Sequence, residues 1–370
     1  MSSLRLLVLD GDGIGPEVNA QALRVLREVG AHAGMSIEAE HAAFGGASLD
    51  AYGLPVTEAT IALAKASDAV LLGAVGGPKW DDVAPHLRAE RGLLRLRSEL
   101  GVFANLRPAK FSAAIEAASP LRPERARGAD FVIVRELCGG IYFGEPRAIE
   151  TVNGERRGYN TMVYTESEIV RVARVAFETA RLRSKRLTSV DKANVLEVSR
   201  LWREVVTDLH KREYSDITLD HQYVDSYAMK MVANPRDADV VVTGNLFGDI
   251  LSDLAAALSG SLGMLPSASL GEGPGLYEPV HGSAPDIAGQ AKANPLGAIL
   301  SSALLLEHTV KRPDLAKIVN DAVQGALDAG LRTGDIAWGD AGTRRVNTVE
   351  MGDAVVANIR SSFGSKETRA

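Results

Sequence analysis

Cysteine occurs once in this 370-residue chain, as Cys138. An intrachain disulfide is therefore excluded, and with no His/Cys cluster so is a zinc site; the composition points to a reducing, cytoplasmic setting. Positive charge is in deficit, with a formal net charge of −6, which argues against general attraction to nucleic acid or to an anionic membrane. No apolar run reaches the ~18 uncharged residues of a membrane span. The N-terminal run in MSSLRLLVLDGDG stops at two aspartates and lacks a small-residue cleavage site, so it reads as a first buried strand rather than a signal peptide. No Gly-Lys pair occurs, which removes the Walker phosphate loop. Internal repeats and low-complexity tracts are missing as well.

What is present is a chain long enough for about two domains, with 46% hydrophobic residues to fill their cores. Strand-like and helix-like segments alternate. After Leu6–Leu9 comes a helix opened by Pro16, with Val18, Ala22, Val25, Leu26 and Val29 on one stripe. Helical stretches at 57–67 and 165–180, the second opened by a Thr165/Glu168 capping box, separate apolar strands at 69–73, 131–134, 187–190, 217–219 and 239–244. This rhythm predicts an α/β fold with largely parallel sheets. The exception is 142–164, whose central Asn153-Gly154 predicts a hairpin turn between extended arms, read either as a surface flap or as an arm that pairs with a second subunit. A last helix is expected near 348–363, followed by a frayed polar tail, GSKETRA.

Several residues suggest chemistry. The stretch Gly11-Asp12-Gly13-Ile14-Gly15 has G-x-G-x-G spacing, with the third glycine one place early for a Rossmann loop. Its alternative is a tight strand-to-helix turn, and Asp10 with Asp12 also imitates the paired carboxylates of aspartyl-phosphate phosphatases. Asp249 and Asp253 stand one helical turn apart on one face, which is unfavourable by roughly 0.2–0.5 kcal/mol unless a positive group intervenes. They serve either the helix dipole or, with Asp225, an all-oxygen site of the kind magnesium or manganese prefers. Arg107 and Arg135 lie just beyond apolar runs, at strand ends where α/β sheets collect ligands, and guanidinium forks suit a substrate with several carboxylates. An amine near a cation gives up its proton more readily, which makes Lys192 either a base or a plain surface lysine. Tyr142 offers a phenolic proton or a core ring. Asp286 is suited to ribose hydroxyls, and Asn294 equally to capping the helix that follows Pro295.

In register, GDGIGPEV, LLGAVGGPKWD, E-x-G-L-L-x-L-R, FANLRP, RELxGGIYFGEPR, VDKANVLE, DHQYVD, TGNLFGDILSD and HGSAPDIAG resemble the metal-dependent β-decarboxylating dehydrogenases, and within them the isopropylmalate-dehydrogenase branch of the isocitrate/isopropylmalate family. The resemblance runs from residue 8 to about residue 350, with Cys138 standing where threonine is expected. It implies a two-domain fold with largely parallel central sheets, a non-Rossmann NAD site and a projecting β arm at 142–164 used for dimerisation. One domain would combine 1–102 with 261–370. The other, 103–260, would carry the metal-ligand helix, with the active cleft between the two.

The resemblance also implies NAD-dependent oxidative decarboxylation of 3-isopropylmalate in leucine biosynthesis, with D-malate or tartrate as alternative substrates of the same superfamily. Asp225, Asp249 and Asp253 would hold Mg2+ or Mn2+, and Arg97, Arg107 and Arg135 the substrate carboxylates. Tyr142 would donate a proton and Lys192 take one, the lysine and one metal aspartate coming from the neighbouring subunit of a homodimer. Leu93 and Leu94 would form an apolar wall for the isopropyl branch, with Glu90 repelling an extra carboxylate. Gly76, Gly77, Glu90, His281, Gly282, Ser283, Ala284, Asp286 and Asn294 would contact NAD, Asp286 opposing the 2′-phosphate of NADP. The readings from other classes are the phosphatase and a non-catalytic binding protein.

Overall fold

The computed structural model describes residues 3–339 and 341–367. The chain forms two compact units. Unit 1 comprises Met1–Val102, Phe111–Pro120 and Ala256–Ala370, and unit 2 comprises Phe103–Lys110 and Leu121–Ala255. Relative to the division drawn from sequence, residues 111–120 group with unit 1 and the later boundary falls at 256 rather than 261.

In unit 1 the strand Ser3–Gly11 pairs in parallel with Ser36–His41 on one side and with Ala69–Ala74 on the other. Gly275–Pro279 follows, parallel to Ala69–Ala74, and Pro266–Gly271 closes this half antiparallel to it. All six residues of Ala69–Ala74 are buried, as in a parallel strand covered on both faces, whereas the edge strand Ser36–His41 alternates. Helix Leu296–His308 packs against Gly15–Ala33 and Pro313–Asp328. Nine of its residues are buried, so it is apolar nearly all round.

The glycine-rich turn before helix Gly15–Ala33 answers to packing. A Cβ on Gly11 would lie 1.9 Å from the Ala74 carbonyl oxygen, and one on Gly13 2.0 Å from that of Ser283. Both glycines also have positive φ, 70° and 59°. These residues are small because two neighbouring backbones run against them.

Unit 2 repeats the pattern. Val102–Lys110 runs antiparallel to Asp130–Glu136, and Val240–Thr243, Arg186–Asp191 and Thr218–Tyr223 then add in parallel. The register sets Arg135 opposite both Asn105 and Thr243. Arg135 therefore ends its strand beside the start of helix Asn245–Ser259. The capping box forms as read: Thr165 accepts from Glu168 N while Glu168 accepts from Thr165 N. Asn153 and Gly154, with φ 53° and 83°, turn the hairpin of Ala148–Val152 and Glu155–Tyr159. Its apolar Ile149 is 71% exposed.

Some local expectations move. The last helix runs from Thr348 to Glu367, beyond the expected end near 363, and 368–370 lie outside the described residues. The helix after Asn294 starts at Leu296. Strands Ser36–His41, Pro266–Gly271 and Gly275–Pro279 are not among the sequence expectations.

Candidate active site

Asp249 is the centre of a cluster in unit 2. Arg135, 3% exposed, donates from Nη1 to Asp249 Oδ1, and its Nε and Nη2 donate to Asn245 Oδ1 at 3.0 and 2.8 Å. Arg107 lies inside the strand Val102–Lys110, two residues after Asn105 and on the same face, where its Nε donates to Asn105 Oδ1 at 2.7 Å. Its Nη1 donates to Ser252 Oγ at 2.6 Å and stands 3.6 Å from Asp249 and 3.8 Å from Asp253. The positive groups beside the stacked aspartates are thus, within this chain, the guanidiniums of Arg107, which stands near both, and of Arg135, which binds Asp249. Partial desolvation still pushes the Asp253 carboxyl up, with Asp249 adding to the rise and Arg107 opposing it.

The phenol of Tyr142 donates to Asp249 Oδ2 at 3.0 Å, and its ring lies 5.9 Å from the Arg135 Cζ. Burial, then the Asp249 charge, raises its pKa, so the phenol keeps its proton and remains a donor. Lys192 and Asp225 form a separate pair: Lys192 Nζ donates to Asp225 Oδ1 at 2.7 Å, which holds that carboxyl below its usual range. Asp225 does not join Asp249 and Asp253 here. Among the described residues no three or more His, Cys, Asp or Glu side chains gather as a ligand set.

In unit 1, Glu90, Leu93, Leu94 and Arg97 share one face of helix Ala89–Glu99, at positions i, i+3, i+4 and i+7. Arg97 donates from Nη2 to Glu278 Oε1 at 2.7 Å, both side chains about nine-tenths buried, and its Nε is buried without a partner. Removing one member of such a pair typically costs about 3–5 kcal/mol. Gly76, Gly77 and Glu90 line one cavity of about 260 Å³ together with Trp80, Asp81, Arg88 and Ala89. In the 281–294 loop, His281 Nδ1 lies 2.9 Å from the Gly282 carbonyl oxygen, and its Nε2 is buried with no partner. Burial lowers the pKa of this ring. The Ser283 carbonyl accepts from Ile14 N at 2.8 Å, Ala284 adopts φ 37°, and Gly282 and Asp286 are exposed. Asn294 is buried. Its Oδ1 accepts from Leu296 N at 3.0 Å and its Nδ2 donates to Asp335 at 2.9 Å, so the amide is engaged just ahead of the helix, whose N-cap is Pro295.

The chain matches the family described as isocitrate/isopropylmalate dehydrogenase over residues 5–355. It belongs to that family. A relative from Acinetobacter baylyi named 3-isopropylmalate dehydrogenase is 57% identical over 359 residues, covering 96% of this chain and 99% of the relative. One of the same name from Methylococcus capsulatus is 55% identical, covering 97% and 99%. Among solved structures, an isocitrate dehydrogenase from Methylococcus capsulatus has a TM-score of 0.83 at 32% identity, over 97% of this chain and all of that one. A β-decarboxylating dehydrogenase from Thermococcus kodakarensis in its apo form has a TM-score of 0.79 at 35% identity, over 99% and 98%.

Neither the D-malate/tartrate reading nor the phosphatase reading gains support from this membership. For the phosphatase the geometry is also unsuitable. Asp12 is 3% exposed and accepts backbone N–H groups of Gly46, Ala47 and Gly76, each at 2.8 Å. A buried carboxylate held by three amides positions loops and is not free to attack phosphorus or to carry a proton, so Asp12 cannot serve as either member of the pair with Asp10.

Asp249 and Asp253 supply only hard oxygen donors, a chemistry that fits a magnesium- or manganese-type ion. The orphaned His281 Nε2 and the exposed Asp286 carboxylate fit a nucleotide with hydroxyl groups to offer. The residues missed from sequence are Asn105, Asn245, Ser252 and Glu278, which hold the three arginines. Nothing local marks Asn245, Ser252 and Glu278, which meet their arginines only through strand and helix packing, whereas Asn105 stands two residues from Arg107 on the same strand face.

Proposed function

We propose that this protein catalyses NAD-dependent oxidative decarboxylation of 3-isopropylmalate to 4-methyl-2-oxopentanoate and CO2, as a cytoplasmic step of leucine biosynthesis. The observation that carries the reading is the convergence on Asp249 of two buried guanidiniums and a protonated phenol. The extensive identity to relatives bearing the 3-isopropylmalate dehydrogenase name supports it. Among the described residues no helix is long and apolar enough to cross a membrane.

Arg107 and Arg135 hold the substrate carboxylates, which their planar forks match. Asp249 and Asp253, with Asp225, hold a divalent ion, and Gly76, Gly77, Glu90 and the 281–294 loop hold NAD. When bound, the ion would supply Lewis-acid chemistry at the hydroxy acid and the nicotinamide would supply the hydride acceptor. Lys192 takes the hydroxyl proton. Tyr142, kept protonated by burial and Asp249, gives a proton to the carbon left by CO2. Arg97 joins Arg107 and Arg135 in holding the substrate carboxylates, and Leu93 and Leu94 on the same helical face take the isopropyl branch.

The active unit is a homodimer. Lys192 and Asp225 lie together as one pair, apart from Asp249 and Asp253, which is the arrangement expected if a neighbouring subunit delivers that pair. The exposed Ile149 and Val152 of the hairpin provide an apolar surface for the partner.

The test is a comparison of kcat/KM for 3-isopropylmalate and D-malate with NAD and magnesium. A higher value for the branched acid supports the reading. A higher value for D-malate shifts it to the neighbouring specificity, and phosphate release without NADH contradicts it.

A further inference from the structure

We propose that Asn245 is a positioning residue for Arg135, and that Gly248 is glycine so that Arg135 can lie across the first turn of the helix. The inference rests on the reading of Arg135 as a substrate-carboxylate ligand. Asn245 is 1% exposed and its amide is used on both sides. Its Oδ1 accepts from Nε and Nη2 of Arg135, and its Nδ2 donates to the carbonyl oxygens of Leu137 and Gly139 at 3.1 and 3.2 Å. Asn245 N donates to Tyr164 Oη at 2.7 Å, fixing the helix start. The amide therefore ties the guanidinium to the segment directly after the strand that carries Arg135.

Two details indicate orientation rather than simple packing. The acceptor is neutral. A carboxylate here would accept the same two N–H groups but add a second negative charge to the one Asp249 already brings, reducing what Arg135 offers a substrate anion. An amide fixes the fork and leaves its charge in place. The second detail is Gly248, a glycine inside a helix, which propensity disfavours. A Cβ there would lie 2.6 Å from Arg135 Cγ and 2.8 Å from its Cβ. The helix accepts a poor helix former where the arginine stem crosses it.

The experiment compares wild type, Asn245→Asp, Gly248→Ala and Arg135→Lys, with Asn245→Asp repeated in the Arg135→Lys background. Binding of 3-isopropylmalate is read by calorimetry in the presence of magnesium, separately from NADH formation. Asn245→Asp is expected to weaken binding of the acid by roughly ten-fold or more, the size of a perturbed charge-assisted hydrogen bond. Binding of NAD should stay within about two-fold, because the bonds that change are those to Arg135 and to the Leu137 and Gly139 carbonyls, none of which belongs to the proposed NAD residues. Gly248→Ala should weaken binding of the acid in the same direction, and the thermal midpoint should fall modestly, because the clash with the Arg135 stem outweighs the helix preference of alanine. In the Arg135→Lys background the effect of Asn245→Asp should largely vanish.

Unchanged binding of the acid in Asn245→Asp and Gly248→Ala overturns the proposal, as does a loss that is fully additive with Arg135→Lys. Gly248→Ala decides the matter should Asn245→Asp fail to fold. If wild type binds the acid yet forms no NADH, the functional reading fails while the binding comparison still decides the role of Asn245.

Discussion

Tyr142 Oη donates to Asp249 Oδ2 at 3.0 Å, placing a phenol that retains its proton against the carboxylate at the centre of the arginine cluster. Phenylalanine at 142 would keep the ring beside Arg135 and lose the transferable proton. The expected result is a fall in turnover by roughly 10²–10⁴-fold, the usual range for a general acid. The fall should be greater for formation of the final product than for NADH formation, because only the later step needs this proton. Product analysis alongside NADH absorbance checks it; an equal loss in both would remove Tyr142 from the protonation step.

Asp249→Asn takes a charge from the proposed metal site. The concentration of magnesium needed for half-maximal activity should rise by roughly ten-fold or more, since even outer partners of metal ligands cost 10–100-fold. NAD binding should change little. An unaltered magnesium requirement would count against Asp249 as a ligand.

The Thr165/Glu168 capping box and the Asn153-Gly154 turn were legible from the sequence because each is local, whereas the helical face shared by Glu90, Leu93, Leu94 and Arg97 is seen only in the structure. The supports of the arginines were not legible either. Asn245 meets Arg135 across 110 positions, and Glu278 meets Arg97 across 181. Such pairs follow from strand register and helix packing, for which no short pattern exists. Arg107, read as lying beyond an apolar run, sits within Val102–Lys110, where Asn105 and Arg107 break the apolar pattern by turning to one buried polar face. Asn294 was open between cofactor contact and cap; its Oδ1 accepts from Leu296 N, while the N-cap itself is Pro295. The glycine-rich turn resembled a nucleotide loop by composition, yet its spacing reflects close backbone approach at Gly11 and Gly13.

Leu94→Ser places a hydroxyl on the helical face that also carries Glu90, Leu93 and Arg97. Loss of apolar contact with a branched substrate is worth about 1–3 kcal/mol, or roughly 10–200-fold in discrimination. The ratio of kcat/KM for 3-isopropylmalate over D-malate should fall accordingly. A ratio that does not move would take this leucine out of the specificity.

His221 gives a pH dependence of stability. Burial, then the Arg203 charge, lowers its pKa below 6.5, while Asp191 and Asp220 oppose the shift. Below 6.5 the unfolded chain therefore binds more protons than the native one, and stability falls as pH drops from 6.5 through the lowered native value. Glutamine at 221 cannot titrate, so its urea midpoint should depend less on pH across that window. Equal slopes for variant and wild type would show that this ring does not contribute.

The most direct test is one absorbance assay of the purified protein with 3-isopropylmalate, NAD and magnesium, repeated with a chelator. The account predicts NADH formation that stops when the metal is removed and returns when it is restored. NADH formation indifferent to the chelator, or none with the branched acid present, would contradict it.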